Sequence, residues 1–261
     1  MRKRWFWIGV AAAASVLAAV VLTQRVAVVN WVRERQYREA LPSAQPAVEF
    51  QQPVVTPSLG VALEETPGPR LASDVNLAVP FAPQAPFANW DQPYQDACEE
   101  AAIIMVERYL KGTGLTLEEM DREILRMVDF QNEHFGFYRD SNAAETARLA
   151  EAFYPHLSVS VRYDVTADDI KAELAEGRAV VVLVNGRRLG NPFYTQPGPE
   201  RHTLVIKGFK SDKFITNDPG TKRGADFVYQ STTVMNAIED YDGNTPGTYQ
   251  RAMIVLTSRG G

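Results

Sequence analysis

The chain has 261 residues, with 27 basic and 32 acidic side chains and a single cysteine. That length provides one sizeable domain with extra segments, or two small ones, and a lone cysteine excludes an internal disulfide framework and a thiolate zinc site. Hydrophobic residues at 45% and charged residues at 23% exclude wholesale disorder. Residues 1–40 hold seven Lys/Arg against two Asp/Glu, which leaves the rest of the chain distinctly acidic and argues against a nucleic-acid partner.

Arg2, Lys3 and Arg4 precede an uncharged, mostly apolar run over residues 5–24, about the 20 residues a helix needs to cross a bilayer core. Trp5 and Trp7 stand where an interfacial aromatic belt would place them. The run predicts a single transmembrane signal anchor over 1–24; a cleaved signal peptide ending near Ala19 is the alternative. Arg25, Arg33, Arg35 and Arg38 follow the span and weaken the charge argument for orientation; an N-in, C-out placement is expected from the stalk-like segment beyond. Six prolines between Pro42 and Pro69 break any helix there. Residues 25–71 therefore predict a juxtamembrane segment and Pro-rich tether, and residues 72–261 the folded domain.

Within that domain, residues 77–82 read as extended. A helix is predicted over 96–111, with Asp96 and Glu99 as a capping box and Gly112 as its end. Two more follow over 116–128, boxed by Thr116 and Glu119, and over 142–153. The alternation in residues 158–165 predicts a half-buried strand, and 166–176 a helix closing at Gly177. Strands are predicted over 179–184, 203–209, 213–217, 226–230 and 251–257, with a helix over 231–240. Helices gathered first and strands later predict an α+β domain, not a doubly wound sheet.

Cys98 falls in the first turn of its helix, where free N–H groups and the helix dipole favour a thiolate. Glu99 and Glu100 act against that, so a charged imidazole would have to outweigh them; the alternative is a small buried hydrophobe. Of three histidines, His134 lies in an aromatic loop and His156 follows a helix end, both with structural readings. His202 instead opens a strand whose hairpin, turning at 210–212, sets residue 218, 219 or 220 opposite it. Asp218 is then close enough to hold one imidazole tautomer, with Asn217 as the other candidate. Thiol, imidazole and carboxylate form a nucleophile–base–orienter set. The N–H of Cys98 and a glutamine (Gln84, Gln92 or Gln95) are candidate oxyanion donors. No G-x-S-x-G, H-E-x-x-H, P-loop or dinucleotide motif occurs, the histidines have no metal-ligand spacing, and no cofactor is expected. The Gly/Pro-rich loop 185–200 is a candidate cleft wall.

The run VPFAPQAPFANWDQPYQDACEEAAIIM, with RHTLVIKGF and ITNDPGTKRG, resembles exported bacterial peptidase-like domains related to the double-glycine-leader (bacteriocin-processing) cysteine peptidases of the papain-like superfamily. The resemblance covers residues 76–257. It implies a papain-like fold, with the nucleophile helix packed on an antiparallel sheet. It also implies Cys98 as nucleophile, His202 as general base and acid, Asp218 as orienter and Gln84 as oxyanion donor, with Gln92 as the alternative. The leader peptidases place glycine after the cysteine, where this chain has Glu99. The expected function is a membrane-tethered, extracytoplasmic thiol hydrolase acting on a peptide or cell-wall-type amide. A catalytically silent binding module and an acyltransferase are the alternatives, and the sequence assigns no oligomeric state.

Overall fold

The computed structural model describes residues 41–47, 74–241 and 250–259. The apolar run at 5–24, the segment after it and most of the Pro-rich stretch lie outside them. Among the described residues no helix is long and apolar enough to cross a membrane. The described residues from Pro42 onward form one compact unit.

In chain order the elements are β1 (Asp74–Asn76), a 3-10 turn (Tyr94–Asp96), α1 (Cys98–Leu110), α2 (Leu117–His134), α3 (Ala143–Phe153), β2 (Leu157–Tyr163), α4 (Ala167–Ala175), β3 (Val180–Val184), α5 (Gly186–Leu189), β4 (His202–Lys210), β5 (Lys213–Asn217), β6 (Phe227–Gln230), α6 (Ser231–Ala237) and β7 (Ala252–Ser258). The strands form one seven-stranded sheet in the order β2-β7-β3-β4-β5-β6, and every strand pair in it is antiparallel. β1 pairs with β4 over Gly208–Lys210, beyond the stretch of β4 that β3 covers. This is the mixed helix and antiparallel-sheet class expected from the sequence.

Capping explains where most helices start. Thr116, Asn142 and Thr166 each accept from the backbone N–H three residues on, and the acidic side chains of Glu119, Glu145 and Asp169 bond back. Helix α1 differs. Its N-cap is Ala97, with no side-chain cap, so the expected Asp96–Glu99 box is absent. Asp96 instead ends the 3-10 turn and accepts from Gln92 Nε2 at 2.7 Å. Glu99 is buried rather than turned out to bond the cap. Helix α2 runs to His134, so that histidine ends a helix instead of lying in a loop, with Nδ1 3.0 Å from Phe130 O.

Helix α1 is enclosed on all sides. It packs on β4, β7 and α2, and Ala101 to Val106 have essentially no exposure. Ala101 and Ala102 allow close approach to the sheet, while Ile103, Ile104 and Met105 supply apolar bulk. The chain before α1 is tied down by polar groups. Asn217 Nδ2 donates to Val79 O (3.0 Å) and Pro80 O (3.2 Å), and Gln84 N donates to Pro219 O (3.0 Å). The buried Lys207 ammonium, at a bulge in β4, bridges Asn76 Oδ1 (2.8 Å) and Asp226 Oδ1 (2.6 Å). Contacts extend upstream of residue 72: Gln45 pairs with β1's end, its N–H on Asn76 O (2.7 Å) and its carbonyl taking Ala78 N–H (2.6 Å). The first residues of the Pro-rich stretch therefore lie against the domain.

Because α1 is enclosed, Ile104→Ala is expected to lower unfolding stability in urea by about 2–5 kcal/mol. Leu125→Ala, on the exposed side of α2, is expected to stay within about 0.5 kcal/mol. Equal effects in the two melts would contradict the enclosed placement of α1.

Candidate active site

Cys98 is the first residue of α1 and is only 6% exposed. The N–H groups of a helix's first turn have no intrahelical acceptor, so they concentrate positive potential there. His202 is the first residue of β4 and is 4% exposed. Cys98, His202 and Gln84 line one cavity of about 530 Å³, together with Trp90, Phe193 and Tyr194. The loop before α5's successor strand thus forms one wall, as its Gly/Pro-rich composition suggested.

Asp218 follows β5 directly and is fully buried. Its Oδ1 lies 2.8 Å from His202 Nε2 and accepts from Gly220 N at 3.1 Å. Its Oδ2 accepts from Tyr194 OH (2.6 Å), Tyr229 OH (2.8 Å) and Asn191 Nδ2 (3.0 Å). Burial alone would push this carboxyl up. The His202 charge and the hydrogen bonds from His202, Tyr194 and Tyr229 outweigh it and hold the group below its ordinary value. Both tyrosines are pushed well up, first by burial and then by the Asp218 charge, so they remain donors.

The register of β4 with β5 explains the contact. Val205 pairs with Asn217 and Ile206 with Thr216, and continuing that register would set Gly220 opposite His202. Asp218 then reaches the imidazole diagonally. A Cβ on residue 220 would sit 2.8 Å from His202 Cε1 and 3.1 Å from Nε2, so glycine is required there. Asn217, the other candidate orienter, is committed to Val79 O and Pro80 O. With Nε2 taken by Asp218, Nδ1 is the nitrogen left to exchange a proton.

Of the three glutamines, Gln84 and Gln95 line the cavity and Gln92 does not. Gln92 is exposed, donating to Asp96 and accepting from Tyr138 OH at 3.0 Å. Gln84 is 3% exposed; its Nε2 donates to Tyr94 O (2.9 Å) and Gln95 O (3.1 Å), while its buried Oε1 has no partner among the described residues. In this arrangement Gln84 braces the turn that leads into Cys98, and donating to an oxyanion requires an amide proton to be released from those carbonyls. His156, away from the cavity, lies 3.3 Å from Glu107 Oε1.

The Cys98 thiol donates to Glu99 Oε2 at 3.1 Å. Burial pushes the thiol well up, and the Glu99 charge, its hydrogen bond and the Glu100 charge add to that. The Thr203 hydroxyl, which has no other partner among the described residues, pulls the other way. Burial also raises Glu99 to about 7, and burial together with the Glu99 charge raises Glu100 to about 8. Gln131 Nε2 donates to Glu100.

Sequence reasoning missed Asn191, Tyr194 and Tyr229. The first two belong to the flagged loop 185–200. Tyr229 needs the pairing of Phe214 with Tyr229 between β5 and β6, which no local signal gives.

A family profile described as the Peptidase_C39 like family matches residues 76–245. The chain belongs to that family. The span matched by the Peptidase C39-like profile includes Gln84, Cys98, His202 and Asp218. A crystal structure of a Bacillus anthracis protein, provisionally designated a C39-like peptidase, aligns with a TM-score of 0.48 and 15% identity over 73% of this chain and 100% of its own. No curated protein matches the chain. The chain thus carries a C39-like peptidase domain.

Carboxyls raised in the fold make stability fall as pH rises. Glu99 and Glu100 start near 4.3 when unfolded, so their contribution is complete below that value and is lost as pH climbs through about 7 and about 8. Glu100→Gln is therefore expected to gain stability over wild type in urea melts at about pH 8, on the order of a few kcal/mol. It should match wild type far more closely at about pH 5; a difference independent of pH would contradict the assignment.

Proposed function

We propose that this C39-like domain is a cysteine peptidase or amidase of papain-like fold, hydrolysing a peptide or related amide bond through Cys98, His202 and Asp218. The observation that carries the reading is that Cys98 and His202 share one cavity, while His202 is braced from behind by the buried Asp218 carboxylate.

His202 Nδ1 takes the thiol proton, and the sulphur attacks the substrate carbonyl. The oxyanion forms beside the free N–H of Cys98, with Gln84 as the second donor once its amide turns from the Tyr94 and Gln95 carbonyls. The imidazolium returns its proton to the departing amine, leaving a thioester on Cys98. Water, deprotonated by His202, then releases the acid and restores the thiol. An amine in place of water would make the same site an acyltransferase.

One observation favours a second reading, a catalytically silent module that binds peptide: the thiol is committed to Glu99 and pushed up by burial. Activity separates the two. Incubated with a mixed peptide pool and followed by mass spectrometry, wild type is expected to generate new termini. Cys98→Ala and His202→Ala are expected to lose at least about a hundredfold of that rate. Absence of cleavage by wild type, with retained peptide binding, would favour the silent module.

The proposal extends to placement: residues 1–24 as a membrane anchor, residues 25–71 as a tether, and the domain of residues 72–261 outside the cytoplasm. The full-length chain is expected to stay with membranes through an alkaline carbonate wash and a chain lacking residues 1–24 to be released. Recovery of a soluble chain starting after Ala19 would overturn the anchor.

A further inference from the structure

We propose that Glu99 is a third proton-bearing member of the site, whose carboxylate holds the Cys98 proton and whose acid form hands the sulphur over to His202. The inference deepens the peptidase reading and rests on it.

Side chains at successive helix positions do not ordinarily face each other. Glu99 Oε2 nevertheless lies 3.1 Å from Cys98 Sγ, so the carboxylate has folded back onto its neighbour. Both residues are buried, and water therefore does not screen the pair. The other side of Glu99 opens on a small second cavity, lined also by His202, Thr203, Ser141 and Arg201. Glu99 thus bonds the nucleophile and shares a cavity with the imidazole that must deprotonate it.

The surrounding charges leave this carboxylate few counter-ions. Arg201 pairs with Asp140 Oδ2 at 3.0 Å and lies 3.2 Å from the ring centre of Tyr241. Of the remaining carboxylates on the cavity, Glu239 pairs with Arg188 (2.7 Å) and Glu200 with Arg187 (3.6 Å). Asp140 pushes the Glu99 carboxyl up while His202 acts in the opposite sense, and the Glu99 charge in turn raises Glu100, the next residue of the helix. Cys98 and Glu99 therefore compete for one imidazolium.

The proton balance follows. With Glu99 ionised, the thiol donates to it, and an imidazolium is neutralised by the carboxylate instead of by sulphur. With Glu99 protonated, the same hydrogen bond reverses: the carboxylic acid donates to sulphur, the thiol proton passes to His202 Nδ1, and a thiolate–imidazolium pair forms. No proton enters or leaves in that last step. The reactive pair thus belongs to the acid side of neutrality, consistent with a Glu99 carboxyl raised by burial to about 7.

The test is the rate of iodoacetamide reaction at Cys98 between about pH 5 and pH 9 in the full-length chain, for wild type, His202→Ala, Glu99→Gln, and Glu99→Gln with His202→Ala. The wild-type rate is expected to pass through a maximum below about pH 7 and to fall before the free-thiol rise near 8.5. Glu99→Gln, which keeps a donor for sulphur and removes the charge, is expected to react about tenfold faster or more at about pH 8, the effect of one pKa unit. A wild-type rate that only rises, with one midpoint at the free-thiol value, overturns the proposal, and this arm needs no variant to fold. A folded Glu99→Gln chain with the wild-type profile overturns it as well. If Glu99→Gln accelerates the reaction but adding His202→Ala changes nothing, Glu99 does hold the proton and the peptidase reading fails. If Glu99→Gln changes nothing while His202→Ala slows wild type, the peptidase reading stands and the role of Glu99 fails.

Discussion

A carboxylate sealed from water is tolerated in a protein interior only when its charge and lone pairs are matched, since an unpaired buried charge costs several kcal/mol. Asp218 meets that condition with donors from four separate places. His202 comes from the start of β4, Tyr229 from β6, Asn191 and Tyr194 from the loop ahead of β4, and Gly220 from the turn beyond β5. Satisfying one group thus fixes the imidazole, one wall of the cavity and the hairpin exit together. Tyr194 carries the connection furthest, since its hydroxyl bonds Asp218 while its ring stands edge-on to His202 at 5.5 Å and lines the cavity. The strand-end position of His202 and the glycine at 220 follow from the same constraint.

The opposite end of the site obeys a different rule. A helix start stabilises negative charge, and α1 offers it three claimants in a row: Cys98, Glu99 and Glu100. Burial penalises every ion among them, so the raised thiol and the two raised carboxyls are one effect divided three ways. His202 lines one cavity with Cys98 and a second with Glu99, so in the proposed mechanism the imidazole decides which group carries the charge. A serviceable nucleophile and a silenced one differ here by where a single proton sits.

Much of this was legible in the chain itself. The capping box at Thr116, the stop at Gly177, strand alternation and the hairpin turn at 210–212 predict elements whose starts are found within a few residues of the expected ones, although the helix from Thr116 runs on to His134. The hairpin also brings residues 218–220 opposite His202 without any tertiary knowledge, because antiparallel register is a local property. The diagonal reach of Asp218 and the commitment of Asn217 to Val79 and Pro80 needed the structure. Asp96 misled, since a box pattern at the right spacing cannot reveal that Glu99 will be drawn inward to the thiol. Tyr229 and Asn191 were out of reach for the same kind of reason: their partner is set by strand order and loop packing, both long-range. Which glutamines reach the cavity was equally out of reach: Gln84 and Gln95 line it with Cys98 and Gln92 does not.

The central claim is that Cys98 and His202 act as one coupled acid–base unit, and the direct test is the titration of His202 followed by NMR in the full-length chain. Three histidines make the signal assignable through His134 and His156 substitutions. The account predicts that Cys98→Ala moves the His202 midpoint by about one unit or more, the mark of interacting sites, and leaves the other two unmoved. A His202 titration indifferent to the loss of Cys98 would contradict it.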